Sequence, residues 1–384
     1  MRHTGARTRQ SCKSPAAMAA AITNLNLNIC ALALLGGTIG RHWKRDMGFY
    51  RLILAMLVVV SHVDGRFYGY NPGVVAVISF FILSGYVMSI LIGKYYKQPS
   101  AIPAFYLDRM ARLFPQFLFY MALASICIYF LKTDSPFTNQ LTLAKWLLNF
   151  FILPQGFYML WADGALVIPQ SWSLGLELTF YLLIPWIIIF LSRRQIYGLA
   201  GASFLVFMAA YLGKIDSDFF GYRLLAGTLF MFLVGWSFFE TDNSSKKFRM
   251  CVFVVATILL TAAYLNKSLY LRPYNKEVLV GLLTGMVVVG LIRNFKFSDM
   301  DEFFGNLSYG VFLNHFIVIW IMQKFFSAKD FGIINTSILL ISSLILSLGS
   351  YLYVERPALR WRRSIRGAKN KLDAAGATSL PNPR

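Results

Sequence analysis

The sequence predicts an all-α integral membrane protein, a bundle of about ten transmembrane helices. Three observations predict it. The chain is 57% hydrophobic and 14% charged over 384 residues, too little polar surface to cover a soluble domain of that length. The apolar residues come in long uncharged runs, such as GVVAVISFFILSGYVMSILIG from Gly73 to Gly93, and roughly 20 such residues span the hydrocarbon core as a helix. The runs also lack the strict alternation of a membrane β-strand, and helices and closed barrels are the two structures that satisfy their backbone in lipid.

The spans follow in order from Phe49: Phe49–Gly65, Gly73–Gly93, Leu113–Leu131, Trp172–Leu191, Gln195–Gly213, Leu224–Phe239, Met250–Leu265, Val278–Ile292, Leu307–Phe326 and Phe331–Val354. A further apolar piece, Leu141–Leu153, carries Lys145 and stops at Pro154. It reads as interfacial or re-entrant. Residues 1–46 are polar, basic and rich in small residues, and Ile29–Gly40 is too short for a span. They read as a poorly ordered extension, and Met47 as an alternative start. Residues 47–359 form the transmembrane domain, and residues 360–384 a basic cytoplasmic tail that suits anionic headgroups.

The net charge of +20 does not point to nucleic acid, because the basic residues sit between the spans and at the two ends. With the N-terminus inside, 27 of the 37 Lys and Arg residues fall on inner segments. That bias places both termini in the cytoplasm. Cys12, Cys30, Cys127 and Cys251 form no C-x-x-C pair, so neither a metal site nor a disulfide framework is expected.

Ionisable residues inside a membrane are functional candidates by default. Arg51 and His62 are eleven residues apart, which puts them on one helix face about 16 Å apart along the axis. They also fit an inner-edge arginine and an incidental buried histidine. Arg109 and Arg112 project from one side of a helix end. Paired guanidiniums suit a phosphate or pyrophosphate, although positive-inside bias alone would place them there. Glu177 has Ser173 and Tyr181 four residues to either side, on its own face. By span geometry Glu177 and His62 fall within about 5 Å of the same depth, where the two could form an acid–base pair; a glutamate buried against a tyrosine or another helix fits as well. Asn314 and His315 lie mid-span, as interhelical glue or as cavity lining. Asp64 and Arg66 read as structural residues at the outer boundary.

Taken in order, these pieces resemble membrane acyltransferase family 3, the bacterial acyltransferases that O-acylate glycans and related acceptors. The resemblance runs from about Met47 to Leu359. Arg51 and His62 match its opening pair, and Phe80, Phe81, Ser84 and Gly85 its second span. Arg109, Arg112 and Pro115 match its Arg-x-x-Arg segment, and Trp172, Ser173, Leu174 and Glu177 its glutamate helix. Ser308, Tyr309, His315, Glu355 and Pro357 match the last two spans. Gly175, Leu178 and Asn314 depart from the usual residues. Because no soluble domain follows the last span in this sequence, the membrane part is expected to do any chemistry alone.

The resemblance implies an enzyme of the bacterial inner membrane, with no bound cofactor and acyl-coenzyme A, acetyl-coenzyme A above all, as co-substrate. It implies an acceptor hydroxyl on a cell-surface or exported glycan, such as lipopolysaccharide, or on a lipid-linked sugar. His62 and Glu177 are then the catalytic candidates. Arg51, Arg109 and Arg112 are candidates for the donor, and Ser84, Ser173, Tyr309 and His315 for the rest of the cavity. Both direct transfer with His62 as general base and transient acylation of a side chain fit. A transporter or flippase of a lipid-linked glycan is the rival class, since it too needs midplane polar residues.

Overall fold

The computed structural model describes residues 47–361 apart from 64, 67, 133–134, 162, 296–298 and 327–330. The expected extension before Met47, the tail after Trp361 and Asp64 lie outside the described residues. Among those described the chain is helix, turn and loop with no strand.

The helices are α1 Gly48–Ser61, α2 Pro72–Tyr95, α3 Ile102–Leu131, α4 Leu143–Leu148, α5 Ile152–Gln155, α6 Tyr158–Trp161, α7 Ser171–Phe190, α8 Arg193–Tyr211, α9 Leu225–Phe239, α10 Asn243–Leu265, α11 Lys267–Tyr270, α12 Asn275–Ile292, α13 Asp299–Phe326 and α14 Ile333–Ser350. Among the described residues, eight helical segments are long and apolar enough to cross a membrane. α1, at 14 residues, is shorter, and α8 makes up the tenth predicted position.

The ends differ from the sequence expectation. α1 stops at Ser61, and His62 is its C-cap rather than a mid-helix residue. The N–H groups of His62, Val63 and Gly65 turn back onto the carbonyls of Val59 and Val60. α3 begins at Ile102, eleven residues before the expected span, and so carries Asp108, Arg109 and Arg112 within the helix. Their charges are balanced there: Arg109 pairs with Asp108, and Arg112 with Glu355. The Leu141–Leu153 region is built of the short helices α4 and α5.

Local chemistry sets the starts. Asn71 accepts from the Gly73 and Val74 amides ahead of Pro72 at the head of α2, and Ser192 and Gln195 form a capping box on α8. α1 has no cap of its own. Asp301 of α13 accepts from the Gly48 and Phe49 amides instead, at 2.7 and 2.8 Å.

α2 is the hub, packed on α1, α7, α9 and α12. Its contact with α9 is backbone to backbone: a Cβ on Gly85 would meet the Phe232 carbonyl oxygen, and one on Gly235 the Ile82 carbonyl oxygen. Small residues permit that approach where lipid gives no hydrophobic drive between helices. The same logic explains Gly175, a departure from the family pattern. A Cβ there would run into the Gly156 backbone, so glycine lets the loop after α5 lie directly on α7. Buried polar groups tie α3, α13 and α14 together. Gln116 donates to Ser350 at 2.8 Å, Asn314 to the Ser343 carbonyl at 2.9 Å, and Ser347 to the Leu307 carbonyl at 2.7 Å.

Candidate active site

Two cavities follow one another along the bundle. The first is walled by the beginnings of α1 and α13, the Arg-bearing part of α3, the middle of α2 and the first half of α7. Arg51, Ser84, Arg109, Arg112, Glu177 and Tyr309 line it. The second is built from the opposite helix ends: Ser61 and His62 after α1, Asn71 before α2, the 136–170 segment, Trp172 at the head of α7, Arg223 and Tyr274. Counting their open mouths they hold about 880 and 1220 Å³, the first within and the second just above the usual size range of ligand sites. Val77, Ser173 and Phe312 line both, so these three side chains are where the two spaces meet.

The first cavity is a mixed-charge site. The Glu177 carboxylate accepts through one oxygen from Ser84 and from Tyr181, the latter at 2.5 Å. Tyr181 is one helical turn on, as the spacing requires. Arg109 is buried, with Nε donating to Asp108 at 3.1 Å. Arg112 is paired with Glu355 and lies over the Tyr309 ring at 5.8 Å. Tyr309 is fixed by donating to the Leu113 carbonyl at 3.0 Å. The Arg51 side chain makes no hydrogen bond or ion pair with any described residue, and it lines the cavity.

In the second cavity His62 is exposed to the open space. Its Nδ1 lies 2.8 Å from the Val58 carbonyl oxygen. A carbonyl can only accept, so that contact puts the proton on Nδ1 and leaves Nε2 of the neutral ring as the base. The His315 ring is 5.1 Å away and fully buried. Its Nδ1 faces the Val311 carbonyl oxygen at 3.2 Å, and its Nε2 has no hydrogen-bond partner among the described residues. Phe316 packs against both rings, its centroid 4.8 Å from that of His62 and 5.1 Å from that of His315.

The structure therefore gathers seven of the nine sequence candidates, Arg51, Ser84, Arg109, Arg112, Ser173, Glu177 and Tyr309, around the first cavity. His62 lines the second, and His315 stands behind it. His62 and Glu177 do not touch, and Ser173, one turn before Glu177, is the candidate that reaches both spaces. The pair expected from equal depth is absent because α1 ends at His62 and opens it toward the neighbouring cavity.

The model described as Acyltransferase domain, that of acyltransferase family 3, matches residues 45–352. The chain belongs to this family. It is 36% identical over 168 residues to an uncharacterized protein of Aquifex aeolicus, covering 41% of this chain and 72% of that one. It is 21% identical over 357 residues to a protein of Staphylococcus aureus strain MRSA252 provisionally named an O-acetyltransferase. It is 21% identical over 332 residues to O-acetyltransferase OatA of strain NCTC 8325, covering 78% of this chain. The chain spans 58% and 54% of the length of these two staphylococcal relatives. No solved structure matches it. With its apolar helices, this acyltransferase 3 protein is a multi-pass membrane protein.

Sequence reasoning missed Arg223. It lies in a π-helical turn, Phe219–Arg223, and lines the second cavity with His62. The signal was an arginine embedded in FFGYRLL, but three of its four aromatic partners, Tyr158, Trp172 and Tyr274, lie elsewhere in the chain and are brought to it by the fold.

Proposed function

We propose that the protein is a membrane O-acyltransferase that moves an acyl group from acyl-coenzyme A to a hydroxyl of a cell-surface or exported glycan. The acyl group is acetyl by the names of the staphylococcal relatives. The observation that carries this reading is the meeting of two cavities at Val77, Ser173 and Phe312, one lined by arginines and the other by a histidine with a free basic nitrogen.

On this reading the Arg51, Arg109 and Arg112 end faces the cytoplasm, as the basic bias of the inner segments supports. Arg51, with its uncommitted guanidinium, is the natural partner for donor phosphate. Arg109 and Arg112 add positive charge that Asp108 and Glu355 hold in place. Glu177 belongs to the donor cavity, where it fixes Ser84 and Tyr181 rather than the imidazole. The thioester extends toward the Ser173–Phe312 neck and the acceptor occupies the second cavity.

His62 Nε2 takes the proton of the acceptor hydroxyl as its oxygen attacks the thioester carbonyl. The C–S bond then breaks, and the imidazolium returns the proton to the leaving coenzyme A sulfur. The Ser173 hydroxyl donates to the Gln170 carbonyl at 3.2 Å, and no base among the described residues contacts it. That supports direct transfer over a serine ester.

Mass spectrometry of surface glycans from a deletion strain tests the function. Loss of one acyl mass with unchanged glycan amount is the expected result. Loss of the whole glycan would replace this reading with the transporter.

A further inference from the structure

Arg223 is held on several sides. Its Nε donates to the Asp218 carboxylate at 2.5 Å. Four rings from separate parts of the chain surround its guanidinium carbon: Trp172 at 4.7 Å, Tyr222 at 5.4 Å, Tyr158 at 5.7 Å and Tyr274 at 5.8 Å. A cation over aromatic faces is stabilised by the ring quadrupoles, and the π-turn that presents it is a device found mostly at functional positions. Yet its two terminal nitrogens make no hydrogen bond with any described residue, and the side chain lines the cavity that holds His62.

A half-buried structural arginine would have its donors satisfied. This one has its Nε side paired, its plane gripped by rings, and its Nη fork left toward an open cavity. Such a fork matches two oxygens of a carboxylate or phosphate. Asp163 lines the same cavity and is exposed, so the space is not uniformly positive. Discrimination there must come from the geometry of the fork rather than from bulk charge. The four rings cost no ordering on binding, because Arg223 already packs them in place.

We propose that the second cavity contains an oxyanion subsite: the Nη fork of Arg223 binds a carboxylate or phosphate carried by the acyl acceptor, and so sets which hydroxyl is presented to His62. This rests on the reading of the second cavity as the acceptor site, and selects acidic or phosphorylated sugars over neutral ones as its substrate class.

The test is ligand binding by the full chain in nanodiscs, using methyl glucuronide, glucose 1-phosphate and methyl glucoside as probes. At least one anionic probe should bind ten or more times tighter than methyl glucoside. The better of the two anionic probes names the group as carboxylate or phosphate. Arg223→Lys, which keeps the charge but loses the fork, should lose most of that preference, and Arg223→Gln all of it. Equal binding of the three probes by the wild-type chain, or binding of none, overturns the proposal whatever the variants do. So does a preference that survives both substitutions. Acyl transfer from acetyl-coenzyme A is followed in the same samples. Anion binding without transfer to any probe or to extracted glycan would count against the transferase reading while leaving the subsite standing.

Discussion

The His62 and His315 rings lie 5.1 Å apart, each with Nδ1 turned to the carbonyl oxygen four residues back in its own helix. Both are thereby fixed in the same tautomer, but only His62 opens onto a cavity. If His62 is the general base, His62→Gln should lower turnover by about 10²–10⁴, with normal accumulation in the membrane. His315→Gln should lose much less, because its Nε2 is enclosed. Acyl transfer rates of the two variants, at matched protein levels, settle the order. A stronger loss in His315→Gln would reverse the assignment.

Arg109 and Arg112 bear on the donor alone. The double replacement Arg109→Lys, Arg112→Lys keeps the charge and loses the planar fork. It should raise the KM for acyl-coenzyme A about tenfold, the scale of one hydrogen bond to a charged group, with a smaller change in kcat. An unchanged KM would return both residues to the role of charge balance for Asp108 and Glu355.

Asp301→Ala removes the cap of α1 and strands two amides. The expected destabilisation is about 1–2 kcal/mol, read as a lower melting temperature in detergent. Asp301→Asn, which retains an acceptor oxygen, should recover part of it. Equal melting of Asp301→Ala and the wild type would mean that α1 is held by packing alone.

Gly85→Ala should be among the most damaging single-methyl changes in the chain. The new Cβ meets the Phe232 carbonyl oxygen across the α2–α9 contact, and backbone cannot yield as a side-chain end does. Gly198→Ala is the control. Nothing lies within 4 Å of its Cβ position, so a helix interior should gain up to about 1 kcal/mol. Yield of folded protein after detergent extraction separates the two. Equal yields would show that α2 and α9 can part without loss.

The positions of the spans were legible because hydrophobic runs are long and interruptions few. Their ends were less so. Asp108, Arg109 and Arg112 break the apolar run before Leu113, yet remain helical because neighbouring carboxylates neutralise them, a balance that involves Glu355 more than 240 residues away. The Glu177–Tyr181 contact could be read from a spacing of four. The separation of His62 from Glu177 could not, since it depends on α1 ending one residue before the histidine. Arg223 was the least legible, because Tyr158, Trp172, Tyr222 and Tyr274 converge on it from four parts of the chain.

The cap that Asp301 supplies to α1 comes from 253 positions downstream. A chain emerging from the ribosome thus makes its first described helix long before the residue that finishes it. Until α13 arrives, the amides of Gly48 and Phe49 lack that acceptor, and the loop to be closed is 253 positions of a 384-residue chain. The helix that carries Arg51 and ends before His62 therefore completes its N-terminal hydrogen bonds late in biogenesis. Any truncation before α13 leaves a polypeptide whose first described helix has never received its cap.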